Sequence, residues 1–223
     1  MDTFSSDETN GHAAPLRVLG VAGSLRSGSY NRALLAAAAR DLAPEAGLHV
    51  ELFEGLAAVP LYDAGRDPDA GADATLPEAV RRFKRAITGA DALLVATPEY
   101  NHGVPGALKN AAIDWASRPA FESPLKEMPV AIMGASPSGG GTRHAQAALR
   151  RVLESTLAEV LPAPPAVQVE KAHEKFSGEG SLTDEGTREA LAGFLEDFAA
   201  FIRQRADIRQ RAGAEASPAA VTA

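Results

Sequence analysis

LRVLGVAGSLRSGSYNRALL, residues 16–35, decides the fold. The apolar run Leu16 to Ala22 ends in Gly23 and reads as a buried strand. A polar loop, Ser24 to Ser29, follows at once. From Asn31 to Leu42 the residues Leu34, Leu35, Ala38 and Leu42 form one stripe, which marks an amphipathic helix.

The same alternation continues along the chain. Leu48 to Phe53 alternates and reads as a second strand. Gly55 to Ala74 contains Pro60 and Pro68 and reads as a long loop. Leu76, Val80, Phe83 and Ile87 mark a second helix, and Ala90 to Ala96 a third strand. Pro105 to Ser117 is a third helix with proline in its first turn, where a missing N–H costs little. Met128 to Ala135 is a fourth strand. Leu149, Val152, Leu153 and Leu157 mark a fourth helix, and Pro165 to Val169 a weak fifth strand. Leu191, Phe194, Leu195, Phe198, Phe201 and Ile202 mark a long last helix. Such alternation with short βα links implies right-handed crossovers and a parallel α/β three-layer sandwich. One domain is expected over residues 15–205. Residues 1–14 form a polar, acidic arm, and residues 206–223 lose the apolar stripe, so both ends are expected to be disordered.

Composition narrows the classes. With 223 residues, of which 45% are apolar, the chain can bury a core of its own. The net charge of −7, with no cluster of basic residues, argues against nucleic acid as partner. No apolar run approaches the ~20 residues of a membrane span. The opening residues lack the basic start and apolar centre of a secretory signal. No cysteine is present, which excludes disulfides, thiol nucleophiles and thiolate metal sites. A soluble cytoplasmic protein is the expectation.

Three polar loops follow the first, third and fourth strands. If the strands are parallel, all three loops sit on one rim, where open α/β sheets bind ligands. In the first loop, Ser24, Arg26, Ser29 and Asn31 stand just before a helix. Backbone N–H groups there favour an anion, and these side chains add donors of the kind phosphate accepts. Gly28 lets the backbone bend close to a ligand, and Tyr30 would staple the helix start. No Gly-Lys-Ser/Thr closes the loop, and Gly20 and Gly23 lack the dinucleotide spacing. The second loop offers Pro98, Tyr100 and Asn101, an apolar wall with placed hydrogen bonds, which suits a planar heteroaromatic ring. The third, with Gly139, Gly140 and Gly141, brings backbone near the rim. Gly134 to Ser138 lacks the final glycine of a nucleophile elbow. His12, His49, His102, His144 and His173 are scattered and do not pair at ligand spacing, so no metal is expected.

Taken in order, GSLRSGSYNRAL at 23–34, PLYDAGRD at 60–67, TPEYNHGVPGALKN at 97–110, DWASRP at 114–119 and GASPSGGGTRHAQAALRRVL at 134–153 resemble the NADPH-dependent FMN reductase family. The resemblance runs from about Arg17 to Leu161 and, more weakly, to about Ile202. It implies a flavodoxin-like fold with a five-stranded parallel sheet in the order 2-1-3-4-5. It implies that Ser24, Arg26, Ser29 and Asn31, beside Tyr30, hold the FMN phosphate. Pro98, Glu99, Tyr100 and Asn101 would line the isoalloxazine, and Ser136, Gly139 and Gly140 would close its other edge. The implied activity is electron transfer from NADPH or NADH through FMN to a quinone or similar acceptor, in a ping-pong scheme without a side-chain nucleophile. A homodimer or homotetramer is implied, with contacts through the third and fourth helices. An electron carrier or redox sensor is the alternative function. One departure stands out: Leu108 to Trp115 reads LKNAAIDW, with one alanine more than the family pattern. An extra residue turns the following helix face by about 100° unless a bulge absorbs it.

Overall fold

The computed structural model describes residues 14–67, 75–164 and 166–216. The arm at 1–13 and the last residues, 217–223, lie outside them. Four principal strands are parallel: β1 (Leu16–Ala22), β2 (Leu48–Leu52), β3 (Ala92–Ala96) and β4 (Pro129–Ala135). They lie in the order β2-β1-β3-β4, with β5 (Glu159–Val160) and β6 (Val167–Val169) both pairing with β4. The fifth lane is thus in place but split. Its first piece pairs with Pro129 and Val130 and its second with Met133 to Ala135, so the expected strand at Pro165 to Val169 is only the outer half.

The burial of each strand follows its position. β3 (ALLVA) and β4 (PVAIMGA) are buried at every residue because helices cover both faces. In the edge strand β2, Leu48 and Val50 are buried while His49 and Glu51 are exposed. Helices α1 (Tyr30–Ala37), the one-turn α4 (Ala172–Lys175) and α5 (Glu185–Ala216) cover one face, with Leu34, Leu35, Ala172, Phe194 and Phe198 in one cluster with Val18, Leu94 and Met133. On the other face lie α2 (Glu78–Thr88), α3 (Arg143–Ser155) and a π-helix (Ala107–Asp114), where Phe83, Ile87, Leu149 and Trp115 meet Leu19, Val95 and Ile132.

The π-helix is the answer to the extra alanine. Leu108 and Ile113 are five apart, a spacing that places them on different faces of an α-helix. The wider turn brings both into one apolar cluster, together with Trp115. The residues after the insertion therefore keep their side. Trp115 is fully buried; its Nε1 donates to the Pro60 carbonyl at 2.9 Å and its ring lies 5.0 Å from Tyr62. The PLYDAGRD and DWASRP segments are thereby tied to each other. Tyr62 also donates through its hydroxyl to Asp67 at 2.8 Å.

The C-terminal expectation needs correction. α5 does not stop near Arg205 but continues to Ala216. Residues such as Arg, Gln, Ala and Ile are adequate helix formers without an apolar stripe. The extension is also tethered: Arg205 pairs with Glu159 at 3.0 Å, and Arg209 donates to the Glu127 carbonyl at 2.6 Å.

Candidate functional site

The carboxyl ends of β1, β3 and β4 are neighbours in the sheet, so the three polar loops meet on one rim. Strand order also reverses there, since β1 leads to β2 on one side and β3 lies on the other. Bonds continue the ladder into the loops: Gly23 N–H donates to the Ala96 carbonyl at 2.8 Å, Thr97 N–H to Met133 at 2.9 Å, and Ser136 N–H to Val169 at 2.9 Å. Two glycines allow the close approach. A Cβ on Gly23 would stand 3.0 Å from Leu108 Cδ2, and one on Gly134 would stand 2.0 Å from Thr142 Oγ1.

In the first loop Ser29 is the N-cap of α1, its hydroxyl accepting from Arg32 N–H at 3.4 Å. The first-turn N–H groups of α1 have no intrahelical acceptor and carry partial positive charge. Arg26 donates to the Gly28 carbonyl at 2.7 Å, and its guanidinium lies 5.9 Å from the Tyr30 ring centre. This holds a cation beside the helix end. Asn31 behaves differently from the expectation. It is buried, its Nδ2 donates to the Ala135 carbonyl at 2.8 Å, and its Oδ1 accepts from Ala135 N–H at 2.9 Å. Its carboxamide bolts α1 to the end of β4 rather than reaching out as an anion donor.

The second loop is a tight turn. Tyr100 and Gly103 exchange backbone hydrogen bonds of 3.4 and 3.0 Å. Asn101 and His102 between them have φ of 50° and 61°, left-handed values at both central residues. Tyr100 is 54% exposed, and its hydroxyl lies 3.3 Å from Ser24 Oγ, which joins the first two loops.

Glu99 has a second role besides bordering the cleft. Its Oε2 accepts from His144 N–H at 2.8 Å and Ala145 N–H at 3.0 Å, the second and third residues of α3. The carboxylate therefore caps α3 from another loop, a favourable place for negative charge. Its Oε1 meets His102 Nδ1 at 3.1 Å. Burial pushes the carboxyl up, but the two N–H groups and His102 outweigh it and hold the group below its ordinary range.

Ser24, Arg26, Ser29, Tyr30 and Asn31 from the first loop line a common cleft of about 380 Å³ with Pro98, Glu99 and Tyr100. Ser136 from the third loop lines it too, together with Ala135, Pro137 and Ser138, which sequence reasoning missed. The signal for Ser138 was its spacing from Ser136, since short-range serine contacts of this kind recur in turns; the two hydroxyls are 2.9 Å apart. Asn101, Gly139 and Gly140 are not part of the lining. Gly139 and Gly140 lie further along the turn, and a Cβ on either would meet nothing within 4 Å. No close approach within the chain itself requires glycine there.

At the cleft edge the histidines correct a further expectation. His102 and His144 do meet, with ring centres 4.5 Å apart and edge to face. The fold, not sequence spacing, pairs them.

A family description, NADPH-dependent FMN reductase, matches residues 16–174. The chain belongs to this family. It is 43% identical over 190 residues to an NAD(P)H-dependent FMN reductase of Pseudomonas aeruginosa, covering 85% of this chain and 96% of the relative. It is 39% identical to a 2-hydroxy-1,4-benzoquinone reductase of a Burkholderia species, covering 85% and 98%. Among solved structures it resembles FerB, a flavoenzyme NAD(P)H:acceptor oxidoreductase from Paracoccus denitrificans. The TM-score is 0.71 at 36% identity, covering 85% of this chain and 98% of that one. The matched span contains all three rim loops. No helix among the described residues is long and apolar enough to cross a membrane.

Proposed function

We propose that the rim cleft holds FMN and that the protein is an FMN-dependent oxidoreductase carrying electrons from NADPH or NADH to quinones or similar acceptors. The observation that carries this reading is the union, in one cleft, of an anion-binding helix start with a partly apolar wall. The donor set fits the cofactor. Ser24, Ser29, Arg26 and the start of α1 supply hydroxyl, cationic and backbone donors for a phosphate at one end. Pro98, Tyr100, Ala135 and Pro137 supply apolar surface for a flat ring at the other.

When bound, FMN supplies the redox chemistry itself, accepting two electrons from the nicotinamide and passing them to the acceptor. The chain's own residues then orient and enclose. Asn31 fixes the start of α1 to β4, so the phosphate donors and the ring wall keep a constant separation. Glu99 fixes the second loop to α3, so the Tyr100 turn is held from both sides. No side chain needs to act as a nucleophile, which agrees with the lack of cysteine.

A second copy of the chain covers the open side of the cleft. Phe121 and Leu157, 81% and 52% exposed, border a hollow of about 300 Å³ beside the π-helix and α3 and are suited to such a contact. Light scattering at micromolar concentration should give a dimer or tetramer; an active monomer contradicts it. We place the protein in the cytoplasm, where reduced nicotinamide is available.

The test of the activity is anaerobic oxidation of NADPH by the FMN-loaded protein with benzoquinone. Quinone-dependent turnover is the expected result. Tight FMN binding without NADPH or NADH oxidation would instead make the protein an electron carrier.

A further inference from the structure

We propose that Glu99, His102 and His144 form a binding site for a divalent transition-metal ion of borderline character, such as Zn²⁺, at the edge of the rim cleft. The site shares only Glu99 with the lining of the rim cleft. One ligand atom from each residue lies within 4.8 Å of the others. Glu99 Oε1 and His102 Nδ1 are 3.1 Å apart, and the two imidazoles stand edge to face at 4.5 Å. Donors bound to one tetrahedral zinc ion at about 2.0–2.1 Å lie roughly 3.3 Å from each other. The cluster is therefore within about 1.5 Å of coordination geometry.

The three groups differ in freedom in a way that suits a metal site. Glu99 is the fixed member: its side chain is 13% exposed and Oε2 is held by His144 N–H and Ala145 N–H. That leaves Oε1 as the metal ligand. His102 is the mobile member, with a side chain 75% exposed, so its ring can rotate the remaining distance. Its backbone is not mobile in the same sense. Asn101 and His102 hold left-handed φ values that non-glycine residues seldom adopt, and the paired hydrogen bonds of Tyr100 and Gly103 keep them there. That turn is what carries the His102 ring back onto Glu99 and His144.

The donor chemistry sets the ion class. Two imidazoles and one carboxylate suit Zn²⁺, Ni²⁺ or Cu²⁺ and are poor for Mg²⁺ or Ca²⁺, which want oxygen alone. Three protein ligands leave a fourth position open to water. The electrostatics are mixed. Arg143 Nε donates to His144 Nε2 at 3.3 Å, and the start of α3 is positive, so both oppose a cation. The Glu99 carboxylate opposes them, and Arg143 is exposed and free to swing away. An ion at this point would take the place of the hydrogen bond between Glu99 Oε1 and His102 Nδ1.

The test is calorimetric titration of the purified full-length protein with Zn²⁺ at neutral pH, in parallel with His102→Ala, His144→Ala and, as a control, His173→Ala. The expected result is one equivalent bound by the wild type and by the control. Each of the other two variants should bind at least about tenfold more weakly. Co²⁺ should give the visible bands of a four-coordinate nitrogen–oxygen site, lost in the same two variants. Absence of Zn²⁺ binding by the wild type overturns the proposal. So does binding that survives both substitutions, because the ion would then sit elsewhere.

Discussion

Arg26, in the first loop, and Asn31, the second residue of α1, stand five residues apart and do different work. Arg26 is exposed and, among the described residues, its guanidinium hydrogen-bonds only within its own loop, which leaves it available to an anion. Asn31 is buried and committed to Ala135. Arg26→Ala should weaken FMN binding by about 1.5–3 kcal/mol, the scale of a hydrogen bond to a charged group. The melting temperature should hardly move, and fluorescence titration beside a thermal melt reads both. The reverse pattern, an intact affinity with a lost fold, would show that the residue is structural. Asp184 offers a second test. It accepts from the Thr187 hydroxyl and N–H and from Lys175 Nζ at the start of α5, and the Thr187 hydroxyl and Lys175 hold its carboxyl at about 2, down from 3.8. A depressed carboxyl favours the folded state once the unfolded group is ionised. That contribution is full above about pH 4 and disappears as the pH falls toward 2. Asp184→Asn should therefore lower the melting temperature at pH 7 and matter little at pH 2. An equal loss at both pH values would show that the ionised carboxylate is not what stabilises the folded state there.

Whole elements were legible in the sequence where period and burial agree. β1, β3 and β4 could be read because a parallel strand covered on both faces is a continuous apolar run. The split fifth lane could not: Glu159–Val160 is two residues long and carries no pattern. The cleft was legible as three loops following three strands, and Ser24, Arg26 and Tyr100 are among the residues that line it. What stayed hidden was long-range partnership. Nothing near Glu99 in the sequence announces the N–H groups of His144 and Ala145, and nothing near Asn31 announces Ala135. The end of α5 was misread because helix formers need no stripe when tethered by charged side chains. Ending the chain at Arg205 removes the Arg209 bond to Glu127 and should cost about 0.5–1.5 kcal/mol, seen as a drop of a few degrees in a melt. An unchanged melting temperature would mean that the helix extension adds nothing. The π-helix gives a sharper test. Deleting Ala111 leaves Leu108 and the present Ile113 four apart, the spacing that an α-helix aligns. The shortened protein should fold and melt within a few degrees of the parent. Failure to fold would show that the insertion is required rather than accommodated.

At the scale of the molecule, the sheet order decides where chemistry can occur. The reversal between β1 and β3 opens a gap that helices do not fill, and the first two loops close it from either side. Asn31 and Glu99 then tie those loops to β4 and α3, so the rim behaves as one rigid edge. The central claim is that this edge reads a phosphate at one end and a flat ring at the other. It is tested most directly by titrating the flavin-free protein with FMN and, separately, with riboflavin, which has the same ring and no phosphate. Flavin fluorescence should report FMN bound at least about a hundredfold more tightly, since two or more charge-assisted hydrogen bonds are lost with the phosphate. Equal affinity for the two would contradict the claim.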